Sequence, residues 1–254
     1  MSDSDNANRG IAYLWRDHQL LVVSGHQNRP HKHVAASLLW GLDEKVRVQV
    51  DDAWVSGDVV LVAPEVTQAL DAPGDVLIVH LDPDTHYWRQ LAGHINAHGF
   101  AVLPAPDLAD ARRLVRETDC HYASTWLANL CRALAKPRPP LDGRVVQVTT
   151  ELRTTLPEQL DLEPLAAMAG LSASRLTHLF KQETGVSLKR FVLHLKMQRA
   201  LRHYQPGMTL TQLATDAGFY DQPHMVRTAR DMFDAMPSEW INNRSVKMVR
   251  CSGF

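Results

Sequence analysis

The chain has 254 residues, with 27 Lys and Arg against 28 Asp and Glu, a formal net charge of −1. That length can bury a sizeable core in one or two domains, and no apolar run approaches the ~20 residues of a membrane span. The near-neutral total falls short of a strongly basic nucleic-acid footprint, but residues 1–140 carry 13 basic against 17 acidic groups and residues 141–254 carry 14 against 11, which leaves the second half mildly basic.

The first ten residues, MSDSDNANRG, are polar and lack the apolar segment of a signal peptide. From residue 11 to about 83, short apolar runs alternate with turn residues. IAYLW, QLLVVSG, SLLWGLD, VRVQV, DVVLVAP and DVLIVHLDP all read as strands. Val46, Val48 and Val50 alternate with Arg47 and Gln49, the period of a half-buried strand. Asp51-Asp52, Gly57-Asp58 and Pro73-Gly74 are expected to be turns between runs. A small antiparallel barrel or sandwich follows from this spacing. In GHQNRPHKHV, residues 25–34, His31 and His33 lie two apart, so on a strand they share one face.

From about residue 107 the period becomes helical. Leu108, Ala111 and Val115 share one face over 107–117, and Ala123, Leu127, Leu130 and Leu134 share one face over 121–135. AKPRPPLDG then stops any helix, so a boundary is placed there. Beyond it the chain reads as helices at 143–155, 162–169, 173–184, 188–203, 209–217 and 221–233. The expected fold class is α+β, with three segments: a β-rich domain at 1–100, connecting and dimerisation helices with a linker at 101–140, and an all-α domain at 141–254. The three cysteines, Cys120, Cys131 and Cys251, form no CxxC pair and leave an odd count. A reduced, cytoplasmic protein is expected, with Cys120 and Cys131 packed as small apolar groups.

The helical half contains a near-repeat. Leu165, Ala166, Ala169 and Gly170 match Leu213, Ala214, Ala217 and Gly218, and His178, Lys181 and Phe191 match Arg227, Arg230 and Trp240 after one inserted residue. Each copy is a short helix, a turn with Gly and a longer helix with basic residues, at about 162–184 and 209–233. Gly170 suits the left-handed backbone that ends a helix, and Ser172 suits an N-cap. Leu176, Leu179 and Phe180 then form a buried stripe, leaving Ser174, Arg175, Thr177, His178 and Lys181 outward. Any amphipathic helix has a solvated polar face, but two such copies in tandem favour two recognition helices. Residues 188–203 between them make a spacer of about 24 Å if helical.

LAAMAGLSASRLTHLFKQETGVSLKRFVLHLKMQRAL followed by TLTQLATDAGFYDQPH and MPSEW closely resembles the DNA-binding domain of AraC/XylS-type transcription regulators, over about residues 145–244. The resemblance implies two helix-turn-helix units joined by a long helix, recognition helices at 173–184 and about 221–233, and double-stranded DNA as a partner. The DNA-binding residues expected are Ser172, Ser174, Arg175, Thr177, His178 and Lys181 in the first unit, and Gln222, His224, Arg227 and Arg230 in the second. The second unit departs from the family pattern. Met225 and Ala229 stand where phenylalanines are usual, and Asp234 stands where glycine is usual. Met232 and Met236 are expected to refill part of the space, and the second unit is expected to be the looser of the two.

Many such regulators carry a small cupin barrel, and the strands of residues 11–83 with G-x5-H-x-H from Gly25 resemble one. Metal-bearing cupins add an acid after the second histidine and a later histidine. Here HVAASLLW has no acid, and Gln68 occupies the later position. Two imidazoles and an amide are a poor ligand set, so neither a metal nor another cofactor is expected. His31, His33 and Gln68 are instead candidate effector contacts, with Trp40 and Trp54 as candidate pocket walls; simple surface polarity is the plain alternative for the histidines. No nucleophile elbow, phosphate loop or dinucleotide fingerprint appears. The reading is a sequence-specific regulator and not an enzyme, with a small-molecule effector, a homodimer, RNA polymerase as a further partner and no membrane. The alternatives are a cupin-type metal enzyme with an accessory DNA-binding domain, and a regulator without a small effector.

Overall fold

The computed structural model describes residues 10–108, 110–205, 207–234 and 246–251. It divides into two compact units, one holding the chain up to Arg138 together with a C-terminal piece, the other spanning Pro139–Ile241. Met236, expected to help fill the second helix-turn-helix, lies outside the described residues.

The first unit is built on a sheet of β1 (Gly10–Leu14), β2 (His18–Gln27), β3 (His31–Lys32), β4 (Ala36–Gly41), β5 (Val46–Val50), β6 (Ala53–Gly57), β7 (Val59–Val62), β8 (Thr67–Leu81), β9 (Phe100–Leu103) and β10 (Val246–Arg250). The strand order is β10-β1-β2-β8-β4-β7-β9, with β3 and β5 also paired to β8 and β6 paired to β5. The expected α+β class holds. The expected barrel does not close, because no pairing joins β9 to β10 among the described residues.

Strand β8 organises the unit. Its 15 residues run straight through Pro73-Gly74, which the sequence marks as a turn. The register with β2 shifts between Ser24 and His26, and Gly25 there has φ +62° and faces the Pro73 carbonyl. A bulge opposite the proline thus lets the ladder continue where no N–H is available.

Alternation along the strands sends side chains to two cores. Leu38, Trp40, Leu77, Val79 and Leu81 pack with Trp88 and Leu91 of α1 (His86–Leu91) and with Ala123, Trp126, Leu127 and Leu130 of α3 (Cys120–Ala133). Leu39, Val48, Val50, Val60, Val62, Leu70 and Ile78 form the second core on the opposite face. Each such burial is worth roughly 1.5–3 kcal/mol. The helix α2 (Arg113–Glu117) is fastened to β1, where the fully buried Tyr13 hydroxyl donates to the Leu114 carbonyl at 2.6 Å. The apolar stripe of α3 is thus buried within its own unit.

Strand β10 was not foreseen. It lies within the stretch 141–254 assigned above to the helical domain, and it pairs in parallel with β1, from Gly10↔Val246 to Leu14↔Arg250. A parallel partner more than 200 residues away leaves no local signal. Immediately after it, the Cys251 N–H donates to the Leu14 carbonyl, and Cys251 is disulfide-bonded to Cys120. The expectation that Cys120 packs as a small apolar thiol is therefore corrected. Only Cys131 fits it, as a buried thiol.

The second unit consists of α4 (Gly143–Thr155), α5 (Leu162–Met168), α6 (Ala173–Thr184), α7 (Leu188–His203), α8 (Leu210–Asp216) and α9 (Gln222–Phe233). Side-chain caps set the starts: Asp142 on α4, Ser172 on α6, Ser187 on α7 and Asp221 on α9 each accept from a backbone N–H of the first turn. Thr209 and Gln212 form a reciprocal capping box on α8. Gly170 and Gly218 take φ +65° and +80° in the turns after α5 and α8, the left-handed backbone that the repeat requires at both places.

Candidate functional site

Two groups of side chains stand out, one in each unit. In the helical unit, α5 and α6 form the first helix-turn-helix. Leu176, Phe180 and Thr184 bury one side of α6, with Phe180 edge-on to Phe191 of α7 at 5.4 Å between ring centres. Ser172, Ser174, Arg175, His178 and Lys181 are exposed on the other side. Thr177 is half-buried, and its hydroxyl donates back to the Ala173 carbonyl at 2.8 Å. With Gln182, five polar side chains of α6 are thus exposed, Arg175 and Lys181 among them.

The second unit, α8 and α9, is arranged alike but engaged differently. Met225, Ala229 and Met232 are buried, Ala229 at the place that Phe180 fills in the first copy, and Thr228 is buried beside them. Arg227 and Arg230 are exposed. Gln222 is half-buried, with Oε1 accepting from the Thr211 hydroxyl at 2.8 Å. His224 is half-buried too, its ring edge-on to Phe219. Burial first, then the charges of Lys196 and Arg227, hold the His224 imidazole below its usual value. Asp234 closes α9 with φ +47°, so the aspartate occupies a left-handed position suited to glycine.

The two copies are joined by a residue that sequence reasoning overlooked. Lys196 of α7 is 5 % exposed. Its ammonium donates to the Glu158 carbonyl at 2.6 Å, ahead of α5, and lies 6.0 Å from the Phe219 ring centre, ahead of α9. Burial lowers its pKa from the ordinary lysine value, partly opposed by the Glu158 charge. The Lys196 position falls on the helix that the sequence treats as a spacer, where a cation reads as solvated surface.

In the sheet unit, β3 lies opposite β8 with His31 facing Gln68. His31 Nδ1 is 2.7 Å from the Arg29 carbonyl, which accepts only, so Nδ1 carries the proton. In neutral His31 the other nitrogen then accepts from His33 Nε2, 2.7 Å away. The His33 ring lies 4.4 Å from that of His80, and Gln68 Nε2 donates to the Ser37 hydroxyl at 2.7 Å. Gln68 is 5 % exposed, and its Oε1 has no hydrogen-bond partner among the described residues. The structure therefore brings His31, His33 and Gln68 together and adds Ser37 and His80. Gln68 and His80, near opposite ends of β8, have the parity of Leu70, Ala72, Val76 and Ile78, so both lie on the side of the strand that faces the second core. That parity is legible only once 67–81 is known to be one strand. Among the described residues, no group of three His, Cys, Asp or Glu side chains is placed to hold a metal ion.

Trp40 and Trp54, the expected pocket walls, do not join this cluster. Trp40 belongs to the opposite core, stacked on Trp126 at 5.9 Å. Trp54 is 49 % exposed and carries the Arg47 guanidinium 5.1 Å from its ring centre. Strand alternation sends Trp40 to the face that the helices cover.

Residues 165–243 match the family model described as a helix-turn-helix domain. The XylDLEGF operon transcriptional activator 1 of Pseudomonas putida is 28 % identical over 177 residues, covering 65 % of this chain and 51 % of the relative. The chain carries a helix-turn-helix domain, similar in sequence to this operon activator. The arabinose operon regulatory protein of Escherichia coli (strain K12) is 29 % identical over 119 residues, 43 % of this chain and 41 % of that protein. The chain spans about half the length or less of these curated relatives. In fold it is similar to ToxT from Vibrio cholerae, with a TM-score of 0.58 at 9 % identity over 89 % of this chain and 97 % of that one. The unsaturated fatty acid-bound ToxT gives 0.60 at 9 % identity, over 88 % and 94 %. The likeness to ToxT is one of fold.

Proposed function

We propose that the chain is a sequence-specific, DNA-binding transcription regulator that works by binding and not by catalysis. The observation that carries this reading is the pair of capped helix-turn-helix units joined by α7, each presenting cationic side chains on the exposed side of its second helix. Such helices enter the major groove, with cations on phosphate and N-terminal side chains on base edges. Ser172, Ser174, Arg175, Thr177, His178 and Lys181 serve the first groove segment, and Gln222, His224, Arg227 and Arg230 the second. Double-stranded DNA in the cytoplasm is the primary partner, and RNA polymerase and a second copy of the chain are further ones. Because the apolar stripe of α3 is buried in its own unit, a homodimer draws on other surface.

In the same reading the sheet unit, residues 1–100 with the connecting segment 101–140, senses a small molecule. The effector sets its polar end against His31, His33 and Gln68, with Ser37 and His80 beside them, and its apolar body along the Val- and Leu-lined face. The fatty acid in the ToxT structure is a molecule of that general build.

Selection of bound sequences from a random DNA pool tests the DNA reading. The expected product is a site with two conserved segments roughly one helical turn apart, bound with an affinity that falls as salt rises. Recovery of no preferred sequence refutes it. A thermal-shift screen of small molecules on the full chain, repeated with Gln68→Ala, tests the sensor. A stabilising ligand whose effect survives Gln68→Ala places the effector elsewhere.

A further inference from the structure

The Cys120–Cys251 bond joins the first residue of α3 to the residue just after β10, a separation of 131 residues. All of Pro139–Ile241 lies inside that span, so the helical unit is connected to the sheet unit at both of its chain ends. The two connections differ in kind. The first is continuous backbone beyond Arg138. The second depends on β10, a five-residue edge strand whose residues are all partly exposed and which pairs only with β1 among the described residues. A short edge strand of this kind opens readily unless something holds it. Val246 and Val249 pack partly against the cores, and Cys251, 2 % exposed and bonded to Cys120, is the covalent tie that holds it.

We propose that β10 and the Cys120–Cys251 bond form a reducible latch, through which thiol–disulfide exchange sets whether the helical unit is tethered at both ends or at one. A DNA-binding protein works among cellular thiols, where a disulfide is transient and reports on redox state. The exchange balances with two equivalents of a thiol reductant. The thiolate of the first attacks Sγ of Cys120, the half-buried partner, forming a mixed disulfide and releasing Cys251 as a thiolate that takes up a proton. The second thiol attacks that mixed disulfide, leaving Cys120 as a thiol and the reductant as its own disulfide. Cys131 takes no part. It is fully buried, and burial pushes its thiol up to about 12. Losing β10 bares the outer edge of β1, whose other edge is held by β2.

The latch stands on the sheet unit alone, and only its consequence for DNA rests on the function proposed above. The test uses the full chain, air-oxidised or treated with dithiothreitol. Peptide mapping without reductant is expected to show Cys120 linked to Cys251. Reduction is expected to lower amide-exchange protection in β1 and β10 by on the order of tenfold or more, while α5 to α9 keep theirs. The dissociation constant for the selected DNA is expected to change by about fivefold or more between the two states, and the sign identifies the active one. Cys120→Ser and Cys251→Ser should each reproduce the reduced protein and ignore dithiothreitol. Reoxidation of wild type, restoring protection, serves if either variant fails to fold. Unlinked cysteines in the oxidised protein, or exchange unchanged on reduction, overturn the latch. Unchanged DNA affinity alongside altered exchange overturns its control of binding. Failure of both states to bind DNA refutes the DNA reading, and the exchange data still decide the latch.

Discussion

Replacing Lys196 with alanine removes three things at once. The first is a charged donor to the Glu158 carbonyl, a bond of 2.6 Å that is worth about 1.5–3 kcal/mol in this class. The second is the cation beside the Phe219 ring, at 6.0 Å, worth about 0.5–1 kcal/mol. The third is the buried stem, whose Cε lies 3.8 Å from where a Cβ on Gly218 would sit. Against these stands relief from burying an ammonium, the effect that lowers its pKa. The balance is a loss of about 2–4 kcal/mol for Lys196→Ala. Lys196→Met keeps the stem and sheds the buried charge, so its cost falls to about 1 kcal/mol. Urea denaturation of the full chain, followed by a probe in the helical unit, measures both. In both variants the His224 pKa, read by NMR, moves up towards its ordinary value because the Lys196 charge is gone. A Lys196→Ala loss below about 0.5 kcal/mol, or a methionine variant as damaged as the alanine one, refutes the reasoning.

The two recognition helices should contribute unequally. Arg175 stands among exposed polar groups, whereas Arg227 shares its helix with Gln222 and His224, which are engaged within the protein. Arg175→Ala is expected to cost about 1–3 kcal/mol on the selected site and Arg227→Ala less than about 1; equal losses in a binding titration refute this. Asp234→Gly removes a left-handed strain and a carboxylate at the negative end of α9, and after the extra freedom glycine gains in the unfolded chain it should stabilise the helical unit by about 0.5–1 kcal/mol. A urea midpoint that does not rise contradicts it. Acid should weaken both units. Burial lowers His26, with the His31 charge second, and it lowers His224. The unfolded chain therefore binds more protons than the folded one as pH falls below about 6.5 towards the folded values, and stability falls with it. Urea midpoints at pH 7.5 and 5.5 check the sign, and His224→Gln should flatten the dependence of the helical unit.

The helical half was the most legible part of the chain. The helices expected at 143–155, 173–184 and 188–203 coincide with α4, α6 and α7, because Asp142, Ser172, Ser187 and Gly185 are local caps whose effect extends over one turn. The sheet was legible strand by strand where alternation or an unbroken apolar run was clear, as in β5 and β7. It failed at β8, since Pro73-Gly74 carries a turn signal that the bulge at Gly25 overrides. The polar cluster was half legible. His31, His33 and Gln68 could be picked by their resemblance to a cupin motif, whereas Ser37 and His80 enter only through cross-strand register.

The sequence alone determined what depends on neighbours a turn away: helix limits, the two turn glycines, the cationic outer faces and hence the DNA-binding reading. Tertiary structure decided what depends on distant partners. It turned Trp40 away from the polar cluster, buried Lys196 between the two helix-turn-helix units, and returned β10 to β1. The pairing of Cys120 with Cys251 belongs with these, because spacing in the chain carries no information about which sulfur atoms a parallel edge strand will bring together.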